Sequence, residues 1–288
     1  MSIFFFLSLD GDYHECAEDA KVACRQVSTY IDYKRCEGVA EIVVAPNMSV
    51  GFRGIVQTTG LGNLKPNIVV MRYPEIWRRE SLIEIPATFV GIINDCIVAN
   101  KAVVIVKGLD EWPNEYQRQY GTIDLYWIVE GWWSHASSLS QLLLTKEGFE
   151  SCKIQVFCIA EEDTDADNLK ADVKKFLYDL RMQAEQIEAY LVEMKNRAQR
   201  EGAPLMADGK PVVVNEQQVE KFLYTTLKLN STILRYSRMA AVVFVSLPPP
   251  PVSHPPYFYM EYMDMLVENV PRLLMVRGYR RDVVTLFT

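Results

Sequence analysis

Val103-Val104-Ile105-Val106 gives the clearest indication of how this chain folds. All four residues are apolar and β-branched, so a strand formed by them is apolar on both faces. Strands of this kind lie inside a sheet that helices cover on both sides. Similar short runs recur and predict strands at residues 3–9, 40–45, 68–71, 102–107, 123–129, 153–160, 240–247, 272–276 and 283–287.

Amphipathic stretches separate these runs and predict helices, because their apolar residues recur with a period of 3.6. One helical face contains Cys16, Ala20 and Val27, and another contains Phe89, Ile93 and Cys96. Further helices are predicted at residues 50–59, at 167–200 as one long charged helix or two in series, after the capping residue Asn215, and around residues 260–270. The alternation of strands and helices predicts an α/β fold.

Composition excludes several classes of protein. The chain has 288 residues, 49% of them hydrophobic, and a net charge of −7. This balance is typical of a folded globular chain, and the acidic charge argues against a nucleic-acid partner. The six cysteines are too sparse for a disulfide scaffold, so we interpret them as reduced thiols. No uninterrupted apolar stretch is long enough to predict a membrane-spanning helix.

Candidate catalytic and metal-binding residues are few, and none forms a recognisable set. The three histidines, His14, His135 and His254, lie in no motif for nucleophilic catalysis, and His14 with Cys16 would need metal ligands from elsewhere. The acidic run at residues 161–167 fails as a calcium loop, because Asn168 stands where glycine is needed. We interpret the run as the start of a helix, whose N–H groups acids cap. The sequence therefore predicts no catalytic residue and no metal site, and we expect no enzyme.

A nucleotide site finds no support in the glycine motif either. Gly60-Leu61-Gly62-Asn63-Leu64-Lys65 follows a predicted helix and precedes a strand, which reverses the order of a dinucleotide fingerprint. Gly60 is better explained as the residue after a helix end. We therefore predict no cofactor and no cofactor-binding residue. A soluble nucleotide-binding module on a Rossmann-like sheet remains the alternative, and a thermal-shift screen with ATP, ADP and AMP would test it.

Two local basic clusters stand out in this acidic chain. The first is Tyr73-Pro74-Glu75-Ile76-Trp77-Arg78-Arg79-Glu80, and the second contains Arg272, Arg277, Arg280 and Arg281. We expect these arginines to pair with the protein's own carboxylates. The alternative is a surface that binds anionic lipid or an acidic partner domain.

Several blocks, in the same order along the chain, resemble the cation–chloride cotransporters. They include Thr59-Gly60-Leu61-Gly62-Asn63-Leu64-Lys65-Pro66-Asn67, Gly121-Thr122-Ile123-Asp124-Leu125-Tyr126-Trp127-Ile128-Val129 and Val267-Glu268-Asn269-Val270-Pro271-Arg272-Leu273-Leu274-Met275-Val276-Arg277-Gly278. The resemblance extends over nearly the whole chain and is to the C-terminal cytosolic domain of the family, in its potassium–chloride branch and its plant members. Asp10-Gly11-Asp12-Tyr13-His14-Glu15-Cys16 fits that branch too.

The resemblance implies an architecture and a role. It implies two related α/β halves of mostly parallel sheet flanked by helices, similar to Rossmann and universal-stress-protein folds. We place these halves at residues 1–150 and 151–288, with a shortened linker near 201–214. The implied role is regulation and dimerisation beneath a membrane transport body that this chain lacks, in a family that couples chloride to potassium or sodium transport. The implied partners are a second copy, that transport body and regulatory kinases. The location is the cytosolic face of a membrane, or the cytoplasm for a free-standing chain.

The chain departs from the family pattern at two places. The family has a basic residue followed by Asp-Gly-Gly-Leu-Met where this chain has Glu130-Gly131-Trp132-Trp133-Ser134-His135-Ala136. We attribute this replacement to a frame slip or an altered splice junction. A pseudogene-like or mispredicted product is thus a third possibility, and it is compatible with the resemblance to the cotransporter domain. After Glu185, the family's strand and acidic linker look deleted, and Gln186-Ile187-Glu188-Ala189-Tyr190-Leu191 follows with helical spacing. We therefore expect a gap or a shortened edge in the second sheet.

Overall fold

Two compact units make up the part of the chain that the structure describes. The structure, a computed structural model, describes residues 3–60, 65–78, 84–114, 116–128, 133–161, 165–179, 186–192, 206–207, 210–211, 216–251 and 254–278. The first unit comprises Met1–Val69 and Glu84–Lys101, and the second comprises Val70–Ile83 and Ala102–Thr288.

Helices and strands alternate along most of the chain. The described helices are α1 (Tyr13–Tyr33), α2 (Met48–Thr58), α3 (Glu84–Val98), α4 (Trp133–Leu144), α5 (Ala166–Asp179), α6 (Glu216–Tyr236) and α7 (Pro256–Val267). The described strands are β1 (Ile3–Asp10), β2 (Gly38–Ala45), β3 (Ile68–Arg72), β4 (Ala102–Lys107), β5 (Gly121–Ile128), β6 (Cys152–Glu161), β7 (Gln186–Val192), β8 (Met206–Ala207), β9 (Lys210–Pro211), β10 (Val242–Ser246) and β11 (Leu273–Arg277). A short 3₁₀ turn, Leu109–Glu111, follows β4.

The first unit is built on a parallel pair of strands. β1 and β2 pair from Ile3 with Gly38 to Asp10 with Ala45, and α1 is the crossover between them. The side chain of Asp12 caps α1 by accepting a hydrogen bond from the His14 N–H at 2.8 Å. Asn47 caps α2 in the same way, accepting from the Val50 N–H at 3.0 Å. α2 contacts α3, where Phe89, Ile93 and Cys96 are buried.

The second unit is built on a seven-stranded sheet. Its strand order is β3-β4-β11-β10-β5-β6-β7, with residues 70–72 of β3 at one edge. The pairs β11–β10, β10–β5, β5–β6 and β6–β7 are parallel, and β11 runs antiparallel to β4. Val103, Val104 and Ile105 are buried, as predicted for a strand that is apolar on both faces. β10 and β11 are buried along most of their length and form the centre of the core.

Most of the predicted elements are confirmed. The strands β1 to β6, β10 and β11 lie within two residues of the predicted bounds. The helix predicted at 50–59 is α2, and the α/β fold class with mostly parallel strands and flanking helices is confirmed. The strand predicted at 283–287, the capping residue Asn215, and Gly131 and Trp132 lie outside the described residues.

The helix predicted through residues 186–191 is wrong. Of the expected gap or shortened edge in the sheet, the gap is not found between β6 and β7, and the shortened edge stays a prediction. α5 ends at Asp179, and Gln186–Val192 forms β7, which pairs in parallel with β6. Ile187, Ala189 and Leu191 also fit an alternating pattern, so the local sequence is compatible with a period of 2. The unpaired backbone edge of β6 decides between the two, because a strand there satisfies its N–H and C=O groups.

The predicted division into halves at residue 150 stays a prediction. β5 and β6 come from opposite sides of residue 150, yet they pair in one sheet from Gly121 with Cys152 to Ile128 with Ile159. The two compact units divide the chain elsewhere. Of the predicted linker at 201–214, the structure describes only β8 and β9, which pair antiparallel.

Candidate functional site

The three histidines lie in separate parts of the chain. The backbone N–H of His14 is used in capping α1, and its exposed side chain lies edge-on to Tyr13. His254 precedes α7, and His135 lies in α4 with its side chain outside the described residues. Across the described ranges, no group of three or more His, Cys, Asp or Glu residues could hold a metal ion. The absence of a catalytic set and of a metal site stays a prediction.

The acidic run caps a helix, as interpreted from the sequence. Asp165 precedes α5, and its Oδ1 atom accepts hydrogen bonds from the backbone N–H groups of Asp167 at 3.0 Å and Asn168 at 3.3 Å. These N–H groups belong to the first turn of the helix and have no partner inside it. A carboxylate there also suits the positive end of the helix dipole.

Gly60 also has the predicted structural role. It follows the C-cap residue of α2, Thr59, and its φ of +87° lies in the left-handed region that favours glycine. The following residues 61–64 lie outside the described part of the chain, so the phosphate-loop alternative stays untested.

A group of polar contacts among the described residues of the second unit joins the segment after β3 to helix α7. We call it the Asp264 cluster and define it as Tyr73, Trp77, Arg78, Glu261 and Asp264. The Tyr73 hydroxyl donates to the Asp264 carboxylate, and the Trp77 indole N–H donates to the same carboxylate at 3.1 Å and 3.2 Å. Arg78 Nε lies 2.7 Å from Asp264 Oδ2, and another guanidinium nitrogen of Arg78 donates to Glu261.

Burial makes these contacts strong. Tyr73 is 1% exposed and Trp77 is 3% exposed, so their polar groups have little access to water. Burial, followed by the nearby Asp264 carboxylate, raises the pKa of the Tyr73 hydroxyl, which therefore remains a proton donor. The Arg78 guanidinium lies 5.1 Å from the centre of the Trp77 ring, close enough for a cation–π contact. One side of the cluster thus faces the core, and Arg78 faces solvent.

The backbone around the cluster is held by a second set of contacts. The Tyr73 N–H donates to the carbonyl of Val106 at 2.8 Å, and Glu75 accepts from the Gly108 N–H at 3.0 Å. Gly108 has a φ of +70°, and a Cβ atom there would lie 1.8 Å from the carbonyl oxygen of Pro271. Glycine is therefore required at position 108 by both its dihedral angle and the close backbone approach.

The basic clusters behave partly as expected. Arg78 pairs with the protein's own carboxylates Glu261 and Asp264, which confirms the expectation for this residue. Arg272 instead donates to the carbonyls of Ala241 at 2.6 Å and Glu111 at 3.1 Å, and Arg277 donates to the carbonyl of Leu247 at 3.4 Å. These two arginines therefore hold loops and strand ends in place. Arg79, Arg280 and Arg281 lie outside the described residues.

The sequence reasoning missed Glu261 and Asp264, although a signal was available. They are the two charged residues of α7, and the rest of that helix is apolar, aromatic or proline. Their spacing of three residues places both carboxylates on one face of the helix. A pair of acids in an otherwise apolar helix predicts a cationic partner, but not which one.

Comparison with known proteins decides the family. The family model described as solute carrier family 12 matches residues 12–113 and 187–288, which is more than half of the chain. The chain belongs to solute carrier family 12. Cation-chloride cotransporter 1 of Oryza sativa subsp. japonica is 72% identical to this chain. Cation-chloride cotransporter 1 of Arabidopsis thaliana is 71% identical, and cation-chloride cotransporter 2 of Oryza sativa subsp. japonica is 69% identical.

These relatives are much longer than the solute carrier family 12 chain described here. Each alignment covers 100% of this chain and 32% of the relative, so the chain spans about a third of their length. The alignment with the first rice relative is 322 residues long, 34 more than this chain, so that relative has residues without a counterpart here. The position of this shortening after Glu185 stays a prediction.

Solved structures confirm the type of fold. The cytoplasmic domain of a prokaryotic cation chloride cotransporter superposes with a TM-score of 0.51 at 12% identity, covering 96% of this chain and 84% of that one. A universal stress protein from Archaeoglobus fulgidus superposes with a TM-score of 0.52 at 11% identity, covering 96% and 85%. At these identities the likeness shows the fold alone. Among the described residues, no helix combines the length and the apolar character that crossing a membrane requires.

Proposed function

We propose that this chain is the cytosolic regulatory and dimerisation part of a cation–chloride cotransporter of the potassium–chloride branch. The observation that supports this most directly is the 72% identity to a cation-chloride cotransporter over the whole chain. The match covers 32% of that relative. In this proposal the ion-transporting part of the protein belongs to the rest of the relative's length. In this proposal the domain acts through protein contacts on the cytosolic face of a membrane.

The architecture supports a binding role. A sheet of seven strands with a buried centre is a stable platform, and the Asp264 cluster ties the segment after β3 to α7. Side chains fixed in this way keep the surface of the domain in one shape, which a contact with a transport body needs. We accordingly propose that the chain is not an enzyme and acts without a cofactor.

A chimaera tests the transport part of the proposal. The segment of the first rice relative that aligns with this chain is replaced by residues 1–288, and chloride-dependent uptake of rubidium, a potassium substitute, is measured in cells. We expect uptake well above that of the relative truncated before the segment. Rubidium uptake no higher than that of the truncated relative, at equal surface expression, contradicts the proposed role.

The dimerisation part has its own measurement. The single chain has a mass of 33.0 kDa, and light scattering on the purified protein should give twice that value at micromolar concentration. A single-chain mass that persists at high concentration contradicts dimerisation by this chain alone. Regulation by kinases is tested separately, by phosphorylating the chimaera's cytosolic part and comparing rubidium uptake before and after.

A further inference from the structure

One buried acid of the second unit has no role in the contacts described so far. Asp124 lies on β5, an inner strand of the seven-stranded sheet, and its side chain is 0% exposed. It is paired in register with Val243 of β10 and with Gln155 of β6. An acid at this position is surrounded by sheet on both sides and is separated from water.

Neither oxygen of the Asp124 carboxyl group has a hydrogen-bond partner among the described residues. The hydroxyls of Ser237 and Thr122 are near enough to favour a negative charge on it, but neither makes a hydrogen bond of normal geometry with it. The Ser237 hydroxyl is instead paired with the hydroxyl of Tyr126 at 2.6 Å. An ionised carboxylate would thus be buried without the compensation that buried charges require.

The charged side chains on the neighbouring elements make no hydrogen bond to Asp124 among the described residues. On β6, the register neighbours on the same face are Gln155, the exposed Lys153 and Phe157, whose ring stacks on Tyr126 at 4.7 Å. The end of α6 brings Arg235, which lies over the exposed Tyr236 ring. The one titratable residue of α4 is His135, whose side chain lies outside the described residues. Burial raises the pKa of the Asp124 carboxyl, and only the hydroxyls of Ser237 and Thr122 oppose it.

We infer that Asp124 is a protonated, neutral acid in the folded protein and makes the second unit less stable as the pH rises. A buried ionised carboxylate without a cation costs several kcal/mol, whereas a neutral acid costs far less.

The direction of the pH effect follows from proton binding. In the unfolded chain the Asp124 carboxyl loses its proton near pH 4. The folded protein holds that proton to a higher pH, so between the two values the folded state binds more protons than the unfolded state. The stabilising effect is complete below about pH 4 and is lost as the pH rises toward the value at which the folded group ionises. Within this window the unfolding constant rises up to about tenfold for each pH unit.

Urea unfolding of the whole chain at several pH values from 5 to 8 tests the inference. Asp124→Asn keeps the shape of the neutral acid and cannot ionise, so we expect its unfolding constant to rise less steeply with pH than that of the wild type. Asp172→Asn is the matched control, because Asp172 lies exposed on α5 of the same unit, and it should keep the wild-type pH profile. Parallel profiles for the wild type and Asp124→Asn would overturn the inference.

A second measurement covers the case in which Asp124→Asn does not fold. Infrared spectroscopy of the folded wild type at pH 6, with aspartate carboxyl carbons labelled by carbon-13, should show the C=O stretch of a protonated acid. Unfolding in urea at the same pH should remove that band. The absence of a protonated-acid band from the folded protein would overturn the inference without any variant.

Discussion

Asp124 and Asp264 are acids of the same unit with opposite surroundings. Asp264 lies on α7 with its side chain 24% exposed, and it accepts from Tyr73, Trp77 and Arg78. Asp124 lies on β5 at 0% exposure, with neither carboxyl oxygen hydrogen-bonded among the described residues. The same side chain thus accepts from three donors where it is partly exposed beside a cation, and from none of the described residues where it is buried within a sheet.

The largest expected effect comes from removing the acceptor of the Asp264 cluster. Asp264→Ala leaves the buried hydroxyl of Tyr73, the indole N–H of Trp77 and the Arg78 guanidinium without their common partner. We expect the free energy of unfolding, measured by urea titration, to fall by about 3 kcal/mol.

Asp110→Ala is the matched control for this prediction. Asp110 also pairs with an arginine, Arg72, at 2.8 Å, but its side chain is 82% exposed. Exposed pairs contribute about 0–1 kcal/mol, so Asp110→Ala should cost little. Equal losses for the two variants would show that burial does not distinguish the Asp264 cluster from a surface ion pair.

A substitution in the backbone beside the cluster has the next largest effect. Gly108→Ala places a Cβ atom 1.8 Å from the Pro271 carbonyl oxygen and needs a φ of +70°. We expect a loss of about 2 kcal/mol in the free energy of unfolding. Gly54→Ala, in the interior of α2 with no atom within 4 Å of the new Cβ, should instead raise stability by up to about 1 kcal/mol. A loss at both positions would mean that the steric argument is wrong.

Tyr73→Phe sharpens the comparison by removing one donor and keeping Asp264. The ring remains buried, Asp264 keeps its contacts with Trp77 and Arg78, and no donor is left unpaired. Thermal unfolding should show a loss of about 1–2 kcal/mol, smaller than that of Asp264→Ala. If Tyr73→Phe costs as much as Asp264→Ala, the cluster depends on the tyrosine hydroxyl alone.

The smallest effect is expected at Asp124 in acid. At pH 5, where the inferred neutral acid and asparagine both carry no charge, Asp124→Asn should change the free energy of unfolding by about 1 kcal/mol or less. Asp264→Asn should cost more at the same pH, because it removes the charge of one of the two carboxylates that pair with Arg78. A larger loss at Asp124 than at Asp264 under these conditions would contradict the assigned difference between the two acids.

Local chemistry was sufficient for several parts of the fold. The run from Val103 to Val106 predicts a buried strand because its side chains are apolar on both faces, and β4 has that character. Asp165 caps the start of α5 as expected, because a carboxylate satisfies free N–H groups. Gly60 follows the end of α2 as expected, because glycine tolerates a positive φ. These signals depend on residues close together in the chain.

Other parts depended on contacts between residues distant in sequence. Gln186–Val192 fits both a helical and an alternating pattern, and pairing with β6 makes it a strand. The partners of Arg78 also depend on distant contacts. Its charge predicts a carboxylate partner, but the two carboxylates are 183 or more residues away in the chain. Chain-local patterns carry no information about which elements become neighbours.

The α/β class, the caps and the family resemblance can be read from the amino-acid sequence, since each rests on local spacing or on ordered blocks of residues. The strand order, the identity of β7 and the different environments of Asp124 and Asp264 become evident only in the folded protein. The physical reason is that burial and pairing are properties of the assembled sheet and its helices. An aspartate has the same chemistry at both positions, and the surrounding elements determine whether it meets arginine or only the interior of a sheet.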